Sequence, residues 1–302
     1  MIVFCSLSGS PGVTRSSYGT AGAMATCFGC NTLLAECDMS GGDLAIQLDL
    51  SAKRGLISLA ASARRGISPS EIWEHVQEAP SGVGLLVGLT HAEQSVALGA
   101  IIEDIATMLA EISSVRVLVD VGRLDPGMQR QRSFLDKAEL VVVVVRPDAV
   151  SLVQASQRVE ALSQCNPRTV VLAAGDGQYN ASDVEDATGN KVIATVNSAD
   201  LRSVYEVSGS MGQARSIRGS TWRRTNQGGF KQGAGQLLED YMKMQGQDNF
   251  DRNCPATQID EVRAGEGNHS ALKTVSLKQL REFRAASPIR ERYSSVSESH
   301  EP

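Results

Sequence analysis

Between Gly9 and Ser17 the chain reads G-S-P-G-V-T-R-S-S, so two glycines, a proline, an arginine and four hydroxyl side chains fall within nine residues. Ile2 to Leu7 before it is a short apolar run, and small helix-tolerant residues follow up to Ala25. That order reads strand, glycine-bearing loop, helix. In such a loop the backbone N–H groups turn inward and the helix start adds partial positive charge, which together make an anion site. Gly9, Ser10, Pro11, Gly12, Val13, Thr14, Arg15, Ser16 and Ser17 are therefore the candidate binding residues, and the ligand to expect is a phosphate. Two acids stand at the ends of apolar runs: Asp38 after Thr32 to Cys37 (TLLAEC), and Asp120 inside Arg116 to Arg123 (RVLVDVGR). Ligands collect at the carboxyl ends of parallel strands, and a carboxylate after an hhhD run can hold Mg²⁺ through water. A solvated turn acid at 38 and a capping aspartate at 120 are the competing readings.

The elements that must position these groups alternate. Strands are expected at Ile2–Leu7, Thr32–Cys37, Gly84–Leu89, Arg116–Asp120, Leu140–Val145, Thr169–Ala174 and Lys191–Val196. Helices are expected at Gly55–Arg65, Pro69–Ala79 with Ser68 as cap, His91–Ile112, Ala149–Cys165, Ala181–Thr188, Ala199–Val207 and Leu237–Met244. Continuous apolar strands such as LVVVVV at 140 to 145 are buried on both faces. Strand-helix alternation with short glycine-bearing loops predicts an α/β fold with a doubly wound, mainly parallel sheet. The first turn lacks the G-x-G-x-x-G of a dinucleotide fold.

The ordinary P-loop runs G-x-x-x-x-G-K-[ST], and the whole order of segments resembles the MinD/ParA group of P-loop ATPases, whose altered loop runs K-G-G-x-G-K-[ST]-[ST]. Laid on this chain, that loop puts Ser10 at the early signature lysine, Pro11 and Gly12 at the two glycines, and Thr14 at the third glycine. Arg15 falls at the P-loop lysine, Ser16 at the magnesium hydroxyl and Ser17 after it. The resemblance implies a P-loop NTPase domain over residues 1–245 that takes ATP and Mg²⁺. Metal contacts would come from Ser16, Asp38 and Asp120, and catalytic roles would fall to Asp38, the second acid after Glu36, and to Arg15. Arginine keeps the charge but not lysine's point contact, and Ser10 cannot reach a partner, so hydrolysis is expected to be weak or lost. The threonine and proline that follow the family's acid are replaced here by Val121 and Gly122, and the asparagine that commonly reads adenine is absent from Ala173–Asp176. The resemblance further implies a homodimer and a role in partition of DNA, division-site placement or a pilus or secretion complex, with a pseudo-ATPase scaffold or a nonspecific DNA-binding module as alternatives.

The 302 residues, 42% hydrophobic and 4% aromatic, can bury one aliphatic core. No run is fit to cross a bilayer and no signal peptide is evident, so a cytoplasmic protein, peripheral at most at the inner membrane face, is expected. Net charge is −5, which excludes global attraction to nucleic acid or anionic lipid. A local excess of five positive charges lies between Arg202 and Lys231, Arg223 and Arg224 among them, and could meet DNA phosphates, an anionic membrane or an acidic partner. The six cysteines lack metal-site or disulfide spacing and read as packing residues, the lone C-x-x-C of Cys27 and Cys30 included. His75 and His91 have no partner at ligand spacing. Residues 246–302 turn polar and read as a flexible tail, with a short basic amphipathic segment at 272–284 that could dock on a protein partner or lie on membrane.

Overall fold

The computed structural model describes residues 1–63, 71–91, 94–205 and 229–244. Eight strands form one sheet in the order β3-β4-β2-β5-β1-β6-β7-β8. They are β1 (Ile2–Ser6), β2 (Thr32–Glu36), β3 (Gln77–Glu78), β4 (Gly84–Leu86), β5 (Arg116–Arg123), β6 (Leu140–Val145), β7 (Thr169–Ala174) and β8 (Val192–Val196). Every pairing is parallel except β3 on β4. The doubly wound, mainly parallel α/β fold expected from the alternation is the one observed.

Strand β1 lies between β5 and β6, so the loop that leaves it emerges at the middle of the sheet. Each side chain of β1, β2, β6 and β7 is buried. Helices cover both faces. On one face α1 (Val13–Phe28), the short α2 (Leu44–Gln47) and α11 (Gly229–Met244) pack over Phe4, Leu34, Leu118, Val142 and Leu172. On the other, α3 (Leu56–Ala63), α6 (Ile102–Glu111), α7 (Arg132–Lys137) and α8 (Ala149–Cys165) pack over Val3, Ala35, Val119, Val143 and Val171. The aliphatic side chains are each worth about 1.5–3 kcal/mol when fully buried, which is how a chain so poor in aromatics holds a large core. Helix α1 meets α11 through two notches: a Cβ on Gly19 would lie 2.6 Å from the Phe230 ring, and one on Gly235 3.2 Å from Phe28.

Sequence and structure agree on α8, β6, β7 and α9 (Ala181–Thr188) to the residue. Several expectations are corrected. The helix drawn over Pro69–Ala79 is only α4 (Ile72–His75): Val76 is extended, and Gln77 and Glu78 pair with Leu85 and Gly84 as β3. Ser68 and Pro69 lie outside the described residues. The long helix over His91–Ile112 is two, α5 (Ser95–Gly99) and α6, broken where Ile101 leaves helical geometry at φ −125° and ψ 8°. Asp120 does not end its strand, since β5 runs on to Arg123. The last two helices are α10 (Ser198–Ser203), shorter than drawn, and α11, which begins eight residues before Leu237. The centre of the basic stretch (206–228), the tail 246–302 and its 272–284 segment lie outside the described residues. Among the described residues no helix is long and apolar enough to cross a membrane, and no group of three His, Cys, Asp or Glu could hold a metal ion by itself. Cys27 and Cys30 are not joined in a disulfide.

Candidate functional site

The site is built where β1 gives way to α1. Gly9 and Gly12 have φ of +54° and +96°, left-handed geometry that favours glycine and lets the loop fold back on the helix start. Gly12 caps α1, and the Ser16 N–H donates to its carbonyl at 2.9 Å. No acidic side chain lies in the first turn, so the helix's partial positive charge is not neutralised from within that turn. The Ser17 hydroxyl donates to the Thr14 carbonyl at 3.0 Å. Ser16 is fully buried and its Oγ has no hydrogen-bond partner; the Oγ of Ser6, the last residue of β1, is in the same position. Leaving a buried polar atom unpaired costs about 1–3 kcal/mol. Both atoms lie beside the loop that the sequence marks for an anion.

The neighbouring strands β2 and β5 bring acids to this point. Asp120 on β5 pairs in register with Phe4 of β1 and with Glu36 of β2. It is fully buried. Its Oδ1 accepts the Gly122 N–H at 2.8 Å, while Oδ2 has no partner of ordinary hydrogen-bond geometry, although the Thr14 hydroxyl is close enough to draw the carboxyl's pKa down. Burial wins over these contacts and pushes Asp120 up to about 7, with the neighbouring Glu36 and Asp38 adding to the rise. Asp38 accepts the Ser40 N–H at 2.7 Å, and its carboxylate lies so close over Gly122 that a Cβ there would meet Oδ2 at 2.0 Å. Its pKa is also raised by burial, against hydrogen bonds from Ser40 and the charge of Arg123. Glu36 has a different task. Its two oxygens accept the N–H groups of Asp43 (2.9 Å), Leu44 (3.1 Å) and Gly88 (2.8 Å), tying the loop after β2 to the end of β4.

Two arginines complete the surroundings. Arg15 is exposed, and its guanidinium carbon sits 5.6 Å from the centroid of the Tyr205 ring, a cation–π contact. Tyr205 follows α10, is buried, tilts against Tyr18 at 5.9 Å between centroids, and has a hydroxyl without a partner. Burial and the charges of Asp43, Glu36 and Asp120 push the Tyr205 phenol well above its ordinary range, against the charge of Arg15. On the opposite face of the sheet Arg158 of α8 donates to the carbonyls of Leu7, Leu124 (3.1 Å) and Asp125 (2.7 Å). One side chain thus fastens the start of the glycine loop to the segment that leaves β5.

The structure therefore gathers Gly9–Ser17 after β1, Asp38 after β2 and Asp120 within β5, on three neighbouring strands. Within that set Ser10 is exposed, Pro11 and Val13 are buried, and Arg15 leans on Tyr205. Sequence reading did not single out Tyr205, Arg158 or the anchoring task of Glu36. A glutamate closing an apolar strand just before a Gly-Gly pair is a usable signal for the last; the other two make contacts between segments far apart in the chain, and nothing local announces them.

No family model matches the sequence, and no curated protein matches it. Among solved structures the chain is similar to the cell division ATPase MinD of Pyrococcus furiosus, with TM-score 0.62 and 14% identity over 79% of this chain and 98% of that one. It is also similar to the septum site-determining protein MinD of Pyrococcus horikoshii complexed with Mg-ADP, with TM-score 0.59 and 13% identity over 81% and 96%. A ParA family ATPase from Chlorobium tepidum gives TM-score 0.58 and 15% identity over 77% and 94%. With the glycine loop at the centre of a parallel sheet and this likeness across nearly the whole of each of those proteins, the chain has the MinD/ParA-like P-loop ATPase fold.

Proposed function

We propose that the chain binds a magnesium nucleotide, ATP by resemblance, and works as a switch in spatial positioning or partitioning: of a chromosome or plasmid, of a division site, or of a pilus or secretion complex. The observation that carries this reading is the pair of buried, unpartnered oxygens, Ser16 Oγ and Asp120 Oδ2, beside a loop with two left-handed glycines. Hard oxygen donors of this kind fit Mg²⁺, which takes one or two protein ligands and completes its shell with water and phosphate oxygens. Ser16 and Asp120 would hold the ion, with Asp38 within reach of its water shell. The ion would neutralise phosphate charge. The loop amides and the start of α1 bind the phosphates, and Asp38 is the residue to orient an attacking water. The P. horikoshii MinD structure contains Mg-ADP, which supports the same ligand class here.

Turnover is weak or absent in this reading, because neither position that carries lysine in the resembling loop does so: Ser10 is uncharged and Arg15 is engaged with Tyr205. The same contact favours a second reading, a scaffold that keeps the nucleotide fold without hydrolysis. Titrating labelled ATP and GTP against the full chain, with and without Mg²⁺, tests binding; phosphate release compared with an R15A control separates slow turnover from none. Saturable, Mg²⁺-dependent binding is the expected result, and binding of neither nucleotide overturns the proposal. A homodimer formed on the nucleotide side is part of this reading. Ile46 on α2 and Val150 and Val153 on α8 are 64%, 67% and 57% exposed, and these helices follow β2 and β6 in the chain.

A further inference from the structure

We infer that Arg123, at the end of β5, is the phosphate-binding cation of this site and contacts the terminal phosphate of a bound triphosphate. The inference rests on the nucleotide reading above and names the residue that supplies its missing charge. The strands around the loop carry three acids, Glu36, Asp38 and Asp120, and the charges of the first two act on the third. A polyphosphate brought to them needs positive charge close by, and the loop provides little: Ser10 has none, and the Arg15 guanidinium lies over Tyr205.

Arg123 is placed to fill that gap. Its backbone pairs in register with Ser6, the residue at which β1 turns into the loop. It directly follows Gly122, the residue over which the Asp38 carboxylate lies. Its side chain is exposed and makes no hydrogen bond or ion pair with any described residue, so no internal contact must be broken for it to bind a ligand. Its charge nevertheless reaches Asp38 and favours the carboxylate there. An arginine supplied in cis or in trans to a nucleotide site stabilises the charge on the transferring phosphate. A planar guanidinium matches phosphate oxygens bidentately.

Competition binding of ATP and ADP, each with Mg²⁺, to the full-length wild type, R123A and R123K tests the assignment. Arg123 is exposed at a strand end, so both variants are expected to melt with the wild type; R123K decides the matter should R123A fold poorly. The expected result is a loss of roughly tenfold or more in ATP affinity for R123A, the scale of a hydrogen bond to a charged group, with ADP affinity unchanged within about twofold and partial recovery in R123K. ATP and ADP affinities that fall together, or that both stay at wild-type values, overturn the assignment of Arg123 while leaving nucleotide binding intact. A wild type that binds neither nucleotide overturns both.

Discussion

Burial of Asp120 with an unpartnered Oδ2 makes its proton part of the folded state. With the carboxyl raised from 3.8 to about 7, the folded chain holds a proton that the unfolded chain has lost across that interval. Stability of the ligand-free chain therefore falls as pH rises from about 4 to about 7 and levels off above. Asp120→Asn removes the penalty: the variant is expected to match the wild type near pH 4 and to exceed it at pH 8 by on the order of 4 kcal/mol at most, at about 1.4 kcal/mol per pKa unit. Urea unfolding at the two pH values reads the difference. The same proton must leave when Mg²⁺ arrives, so magnesium nucleotide is expected to bind more tightly at pH 8 than at pH 6, and equally at both in D120N. Gly122→Ala is expected to weaken the site directly, because its φ is +65° and the added carbon would run into the Asp38 carboxylate. At this scale the sequence was informative where chemistry is local. The loop from Gly9 to Ser17 and the acid after an apolar run announce themselves by spacing. Tyr205 under Arg15 does not, since the pairing exists only once α10 is folded against α1.

Among the elements, the glycine loop and the segment leaving β5 are held to each other by one side chain of α8. Arg158→Met keeps the apolar stem and removes the donors to the Leu7, Leu124 and Asp125 carbonyls. A loss of about 2–3 kcal/mol in stability is expected, since hydrogen bonds to a charged donor are worth about 1.5–3 kcal/mol each and water replaces some of them. Amide hydrogen exchange is expected to quicken in 122–131 and in the loop after β1 while β6 and β7 stay protected; unchanged exchange in both loops would show that the clamp does not hold them. Strands and helices with unbroken periodicity, such as β6 and α8, were readable from the sequence. One misread element lay at the rim of the sheet. Gln77 and Glu78 are polar and look helical beside α4, but the edge of β4 offers them backbone partners. Apolar spacing continues from 98 to 112 although Ile101 breaks the helix, because α5 and α6 both face the same core.

The loop leaves the middle of an eight-stranded sheet, and Ile46, Val150 and Val153 on the helices that follow β2 and β6 are exposed. If the nucleotide side is also where two copies meet, Val150→Asp with Val153→Asp is expected to leave nucleotide affinity within about twofold and to abolish any nucleotide-dependent dimer seen by light scattering, since charge placed at an apolar contact must be desolvated. The central claim is simpler: the loop amides, the Ser16 hydroxyl and the Asp120 carboxylate together hold a magnesium nucleotide. Calorimetric titration of the wild type and Ser16→Ala with ATP, each with and without Mg²⁺, tests it most directly. Wild-type binding that strengthens with Mg²⁺, beside S16A binding that is indifferent to it, is the predicted result. An absence of wild-type binding, or the same Mg²⁺ effect in both proteins, would contradict it.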